Sequence, residues 1–307
     1  MRSYRRLSLS VATTTLTAAA AFAAPNALAG AAAANELPDP KTYDGAIAWI
    51  PDTQYYSESH PEHFDAQTRW LADNAKQRKI SYAAHTGDIV DNANQKKQWE
   101  NADASMRKLD DAKLPYGVVE GNHDRGGRYH DYFGQERFEN SPVYGESHKD
   151  NRQHYDITEV GGKKVMMLYL TWDMKKEDFD WAKKVLAEHP DVPALVGVHA
   201  YLNTDGSYGE QGQQIFDRIV KPHANVKAVL GGHYHGVANN QKDLGNGRKV
   251  AEMLADYQSG PEGGQGYMRL LQFDMKNDKM IVDTYSPSKD DSNYFNKGDD
   301  FTVDLSL

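Results

Sequence analysis

The chain has 307 residues, with 35 basic side chains against 44 acidic ones, a formal charge of −9 and no cysteine. An acidic surface of this kind repels nucleic acid and anionic membranes, which argues against both as partners. Without disulfides or thiolates, stability must come from a core that a chain of this length can bury, and any metal site must be built from His, Asp and Asn.

The N-terminus comes first. MRSYRRLSLS is basic, and VATTTLTAAAAFAAPNALA is apolar and small, ending in Ala27-Leu28-Ala29, an A-x-A cleavage signal. The alternative is a helix kept in the product, but a stretch this short and rich in Ala and Thr makes a poor membrane span. Residues 1–29 therefore read as a signal peptide, and the protein as secreted and without a stable membrane anchor. Arg5-Arg6 also suggests a twin-arginine route. Residues 30–42 read as a flexible lead-in and 43–307 as one domain.

The body alternates strands and helices. AIAWI (46–50) is a buried strand, followed by a helix over 61–78 with Phe64, Trp70, Leu71 and Ala75 at helical spacing. A strand at 80–85, a helix at 94–112 and a strand at 116–120 come next. HYDITEV, the turn Gly161-Gly162 and KKVMMLYLT form a β-hairpin. A helix over 177–189 stops at Pro190, and strands at 194–200 and 226–232 flank a helix-like 209–220. After Gly236 the pattern turns to strands at 249–257, 266–274 and 279–285. The expectation is an α/β single domain with two packed sheets.

Polar residues of metal-binding type follow the strands in turn: Asp52 and Gln54, then Gly87 to Asp91 (GDIVD), then Gly121 to Asp124 (GNHD), then His199, then GGHYHG with His233 and His235. The carboxyl ends of strands in open α/β sheets form the crevice where ligands bind. Taken singly each has a bland reading. GD and GNHD are ordinary turns, and a lone His on an apolar strand is usually a core residue. Five such ends in sequence point to one site. His233 and His235 share it only if the strand has broken at Gly231-Gly232. His60, His63, His85 and His189 lack such company and read as ordinary polar or helix-end residues.

In that order, D-x-Q, GDxxD, GNHD, H and GHxH resemble the signature of the calcineurin-like metallophosphoesterases, from Asp52 to His235. The resemblance implies a four-layer α-β-β-α sandwich, two mixed sheets flanked by helices, with a dinuclear centre at the sheet edge. It implies that Asp88 bridges two divalent or mixed-valence ions (Mn, Fe or Zn). Asp52, Gln54 and His235 would complete the first site, and Asn122, His199 and His233 the second. His123 would be the proton donor, oriented by Asp91. The sequence departs from the family at Gln54, where a His is usual. Either its side-chain carbonyl ligates, more weakly than imidazole, or it points away and leaves the first site one ligand short.

Two ions held about 3.5–4 Å apart neutralise phosphoryl oxygens and activate water for direct, in-line attack, so no Ser or Cys nucleophile is needed. The expected function is a secreted dinuclear phosphoesterase acting on a small phosphate mono- or diester. The alternative is a non-catalytic metal- or phosphate-binding module that keeps the fold. Around the site, Tyr55, Tyr56, Ser57, His60, Arg125, Tyr201 and Asn203 follow the motifs. Of these Arg125, Tyr55 and Tyr201 are the substrate-contact candidates, with loop packing as the competing role.

Overall fold

The computed structural model describes residues 37–295 and 298–307. The signal peptide expected over 1–29 and the first part of the lead-in lie outside the described residues. The rest of the lead-in is seated on the domain: Leu37 packs against the core and Pro40–Thr42 forms a short helical turn. Among the described residues no helix is long and apolar enough to cross a membrane.

In chain order the elements are β1 (Gly45–Ile50), α1 (Gln54–Ser59), α2 (Pro61–Asn74), β2 (Ile80–His85), α3 (Lys96–Asp111) and β3 (Tyr116–Val118). The middle of the chain contains α4 (Tyr129–Phe133), α5 (Gln135–Phe138), β4 (Tyr144–His148), β5 (Gln153–Val160), β6 (Lys163–Leu170), α6 (Lys176–Glu188), β7 (Ala194–Val198) and α7 (Glu210–Ile215). The last part is β8 (Val226–Gly231), β9 (Gly236–Asp243), β10 (Lys249–Asp256), β11 (Met268–Asp274), β12 (Lys279–Ser286), β13 (Asp291–Ser292) and β14 (Phe301–Asp304).

Among the described residues the strands form two seven-stranded mixed sheets. One is ordered β13-β12-β11-β1-β2-β3, with β14 also on β12; the other is β4-β5-β6-β7-β8-β10-β9. Strand alternation decides the layers. On β1, Ala46, Ala48 and Ile50 face Phe64, Leu71 and Trp99 of α2 and α3, while Ile47 and Trp49 face the other sheet. On β6, Val165, Met167 and Tyr169 face inwards, while Met166, Leu168 and Leu170 meet Phe179, Ala182 and Val185 of α6. Helix, sheet, sheet, helix is the expected four-layer order.

Three strands stop short of their expected ends at the site. β3, β7 and β8 end at Val118, Val198 and Gly231, so the motifs leave the sheets earlier than the apolar runs suggest. His233 and His235 accordingly lie beyond the strand, as the double glycine requires. Gln54 opens a further helix, α1, between the expected strand at 46–50 and the expected helix over 61–78. β4 and β9 were also unforeseen, because GVANNQKD and YGESH carry no apolar alternation and serve as edge strands.

Candidate metal centre

The parallel strands β1, β2 and β3 of one sheet and β7 and β8 of the other deliver their loops to a common edge. Close approach there depends on small residues and unusual backbone. Asp88 and His233 both occupy the left-handed region, at φ 47° and 73°. Such conformations cost about 1–3 kcal/mol each and persist where the surroundings over-determine them. A Cβ on Gly121 would lie 2.0 Å from Asp88 Oδ1, and one on Gly232 would lie 1.9 Å from Asp52 Oδ1. Those two glycines are therefore required by the carboxylates beside them.

Asp124, which the sequence reading left without a role, locks the loops together. Fully buried, it accepts hydrogen bonds from the backbone N–H groups of Ile89 (3.1 Å), Val90 (3.0 Å) and Gly121 (2.8 Å). Burial and the nearby charge of Asp88 push its carboxyl up to about 7, against the pull of those N–H groups. His85, set aside as ordinary, is a second brace. Its Nε2 meets Thr53 Oγ1 at 2.9 Å, and its Nδ1 accepts from Gly87 N at 3.1 Å. Burial holds it neutral, with a pKa lowered to about 3.

The donors converge on His199. Its Nδ1 lies 3.1 Å from the carbonyl of Thr86, which can only accept, so Nδ1 carries the proton and Nε2 turns its lone pair into the site. Around Nε2 stand Asn122 Oδ1 at 2.9 Å, Asp88 Oδ2 at 3.2 Å and His233 Nδ1 at 3.2 Å. Ligand atoms of Asp88, His199 and His233 all fall within 4.8 Å of one another. Asp52 joins through Oδ2, which accepts from His233 N at 3.0 Å and lies 3.9 Å from His199 Nδ1. So many lone pairs facing one point call for a cation.

The electrostatics agree. Burial disfavours the charge on both His199 and Asp88, yet their mutual attraction raises the histidine and lowers the acid. A proton on His199 is the smallest cation that meets the demand, and a metal ion would replace it. Burial, followed by the charges of Asp256 and Asp88, holds the Asp52 carboxyl well above the usual carboxylate range.

Two orphaned atoms extend the donor set. Asp52 Oδ1 and Gln54 Oε1 are buried and have no hydrogen-bond partner among the described residues. A buried acceptor left unpaired costs about 1–3 kcal/mol, and a bound cation removes that cost. These residues fit a metal of the Mn, Fe or Zn kind, which accepts mixed oxygen and imidazole donors. His235 stands apart: it is exposed at the rim and is not part of the close group.

His123 donates its backbone N–H to Asp88 Oδ1 (3.0 Å), and its Nδ1 faces both the carbonyl (2.7 Å) and the Oδ1 (3.3 Å) of Asp91. Arg125 is tied to Asp173 at 3.3 Å and lies 3.9 Å from Glu120. Tyr55 is half-buried beside Gly263. Tyr201 is a correction: it is fully buried, and its hydroxyl donates to Glu252 at 2.7 Å, so it is not available to a substrate. Tyr56 and Ser57 are likewise spent on Gly266 N and the Ile89 carbonyl. Trp172 went unnoticed in the sequence. It follows β6, with its ring 5.4 Å from His199 and 5.1 Å from His233, forming an aromatic wall over the centre.

A family model described as calcineurin-like phosphoesterase matches residues 45–237. The uncharacterized protein YvnB of Bacillus subtilis (strain 168) is 48% identical over 278 residues, which is 85% of this chain and 22% of that protein. The chain thus spans under a quarter of that relative's length. Among solved structures, purple acid phosphatase PPD1 from yellow lupin (Lupinus luteus) seeds aligns with a TM-score of 0.57 at 14% identity, over 86% of this chain and 54% of that one. GAP50, the anchor in the inner membrane complex of Plasmodium, aligns with a TM-score of 0.50 at 11% identity, over 86% of this chain and 89% of that one. At these identities the structural likeness is one of fold.

Proposed function

The chain belongs to the calcineurin-like phosphoesterase family, and on that premise we propose that it hydrolyses small phosphate esters with two divalent ions. Asp88 would be shared between them. Asp52, Gln54 and His235 would hold the first, and Asn122, His199 and His233 the second. The observation that carries this reading is the convergence of Asp88 Oδ2, Asn122 Oδ1 and His233 Nδ1 on His199 Nε2.

When bound, the ions would neutralise the phosphoryl oxygens and activate a water for in-line attack. The chain's own residues do the rest. Thr86 fixes the tautomer of His199, and Asp124 holds the Asp88 and Asn122 loops in register. Asp91 anchors Nδ1 of His123, leaving Nε2 to deliver a proton to the departing ester oxygen. Mere binding needs no such donor, which favours an enzyme over a binding module. Arg125 and Tyr55 are the side chains proposed to meet the substrate, with Trp172 walling the cleft. Residues 1–29 would direct export, making the enzyme secreted, and 43–307 would form its catalytic domain.

The test uses protein stripped with a chelator and reloaded separately with Mn, Fe or Zn. Each form is assayed on phosphomonoesters, phosphodiesters and nucleotides. Hydrolysis should be absent from stripped protein and return with metal on at least one ester class. Metal binding with no hydrolysis of any ester would instead favour the binding module.

A further inference from the structure

A second D-x-Q stands at the end of β10: Asp256-Tyr257-Gln258. β10 runs parallel to β8 and antiparallel to β9, with Asp256 directly opposite Gly236. Its carboxyl end therefore lies beside the loop that carries His233 and His235. Asp256 is fully buried. It accepts from Gln258 N and from Gln258 Nε2, both at 2.9 Å, so one residue clamps both carboxylate oxygens. Gln258 Oε1 is left buried with no hydrogen-bond partner among the described residues, as Gln54 Oε1 is.

A buried carboxylate needs an opposite charge. Leu254 pairs with Gly231 on β8 and Asp256 with Gly236 on β9, so Asp256 sits beside the turn whose His233 N–H donates to Asp52 Oδ2 at 3.0 Å. Two buried acids thus stand at one low-dielectric edge whose orphaned oxygens belong to Asp52, Gln54 and Gln258, and ionised together they repel. A cation between them turns this repulsion into attraction.

We propose that Asp256, clamped by Gln258, is an additional anionic residue of the first metal site, supplying the charge that the neutral Gln54 does not. The assignment rests on the two-ion reading above. It makes chemical sense of the glutamine: a weak amide ligand suffices where a second buried acid already attracts the ion. It also accounts for an exposed His235, since the site then depends less on that imidazole.

The experiment titrates chelator-stripped full chain with Mn²⁺ alone and extracts the stepwise dissociation constants by calorimetry. Gln54→Ala should weaken one constant and Asn122→Ala the other, which labels the two sites. Asp256→Asn is expected to weaken the constant that Gln54→Ala weakens, by at least about tenfold, or ~1.4 kcal/mol. The other constant should move by less than about twofold, well below that margin. Gln258→Met, which loosens the clamp without removing the charge, should give a smaller loss at the same site and serves if Asp256→Asn does not fold. Wild-type binding of two ions with neither variant altered, or with the Asn122 constant altered instead, overturns the role of Asp256 alone. A wild type that binds fewer than two ions overturns the two-ion reading and this role with it.

Discussion

In the proposed mechanism His123 has the most exacting task of any single side chain. Its Nδ1 is taken by Asp91, so its other nitrogen alone can serve the leaving group. General acid catalysis contributes about 10²–10⁴-fold, but only where the leaving oxygen needs a proton. His123→Ala should therefore slow esters of poor alkoxide leaving groups by about that factor and barely touch those of good phenolates. Comparing kcat/KM on alkyl and nitrophenyl esters checks this, and an equal loss on both removes His123 from the role. Single residues were legible in the sequence when their chemistry was unusual for a strand end, as with Asp52, Asp88, Asn122, His199 and His233. Tyr201 had the same position but turns to Glu252, a contact that depends on β10 lying nearby. Asp256 repeats the D-x-Q of Asp52 at a strand end but outside the ordered run of motifs, and Trp172 carries no local signal, because what gives both their meaning is the neighbouring loop.

Between the sheets, β2, β5 and β6 enclose a polar knot. Tyr82 donates its hydroxyl to Asp156, and His154 stacks on Tyr169 at 4.4 Å between ring centres. Burial pushes the Asp156 carboxyl up to about 7 and His154 down to about 3. The folded protein thus holds a proton on Asp156 that the unfolded chain releases near pH 4. The contribution of Asp156 to stability is full below that value and is lost as pH rises towards 7, by about 1.4 kcal/mol per unit, while His154, held neutral down to about 3, acts in the opposite sense. Asp156→Asn cannot ionise and should remove this slope. Urea unfolding at pH 5 and pH 8 should show the variant losing about 2.6 kcal/mol less than wild type between them, and equal losses would contradict it. Element positions were legible wherever apolar periodicity was strong, as in β1, β6 and α6. They were not where the sequence is polar: α1 is held by its Ser57 and Tyr56 contacts, and β9 by full register with β10.

At the scale of the whole molecule, two packed sheets bring the carboxyl ends of their parallel strands to one edge, and the metal-type residues gather there from loops far apart in the chain. This was the most legible feature of all, because each loop follows an apolar run and the runs themselves declare an α/β core. The rotation of His235 to the rim was not legible, since H-x-H looks the same whether one histidine or both turn inwards. Everything assembled at the edge depends on Asp88, whose oxygens meet His199 and His123 and whose position Gly121 makes possible. Metal analysis of extensively dialysed wild type and Asp88→Asn, with circular dichroism to check the fold, tests the shared centre most directly. The wild type should retain about two ions per chain and the folded variant should lose both together. A folded Asp88→Asn that still holds two tightly bound ions would contradict a centre built around that carboxylate.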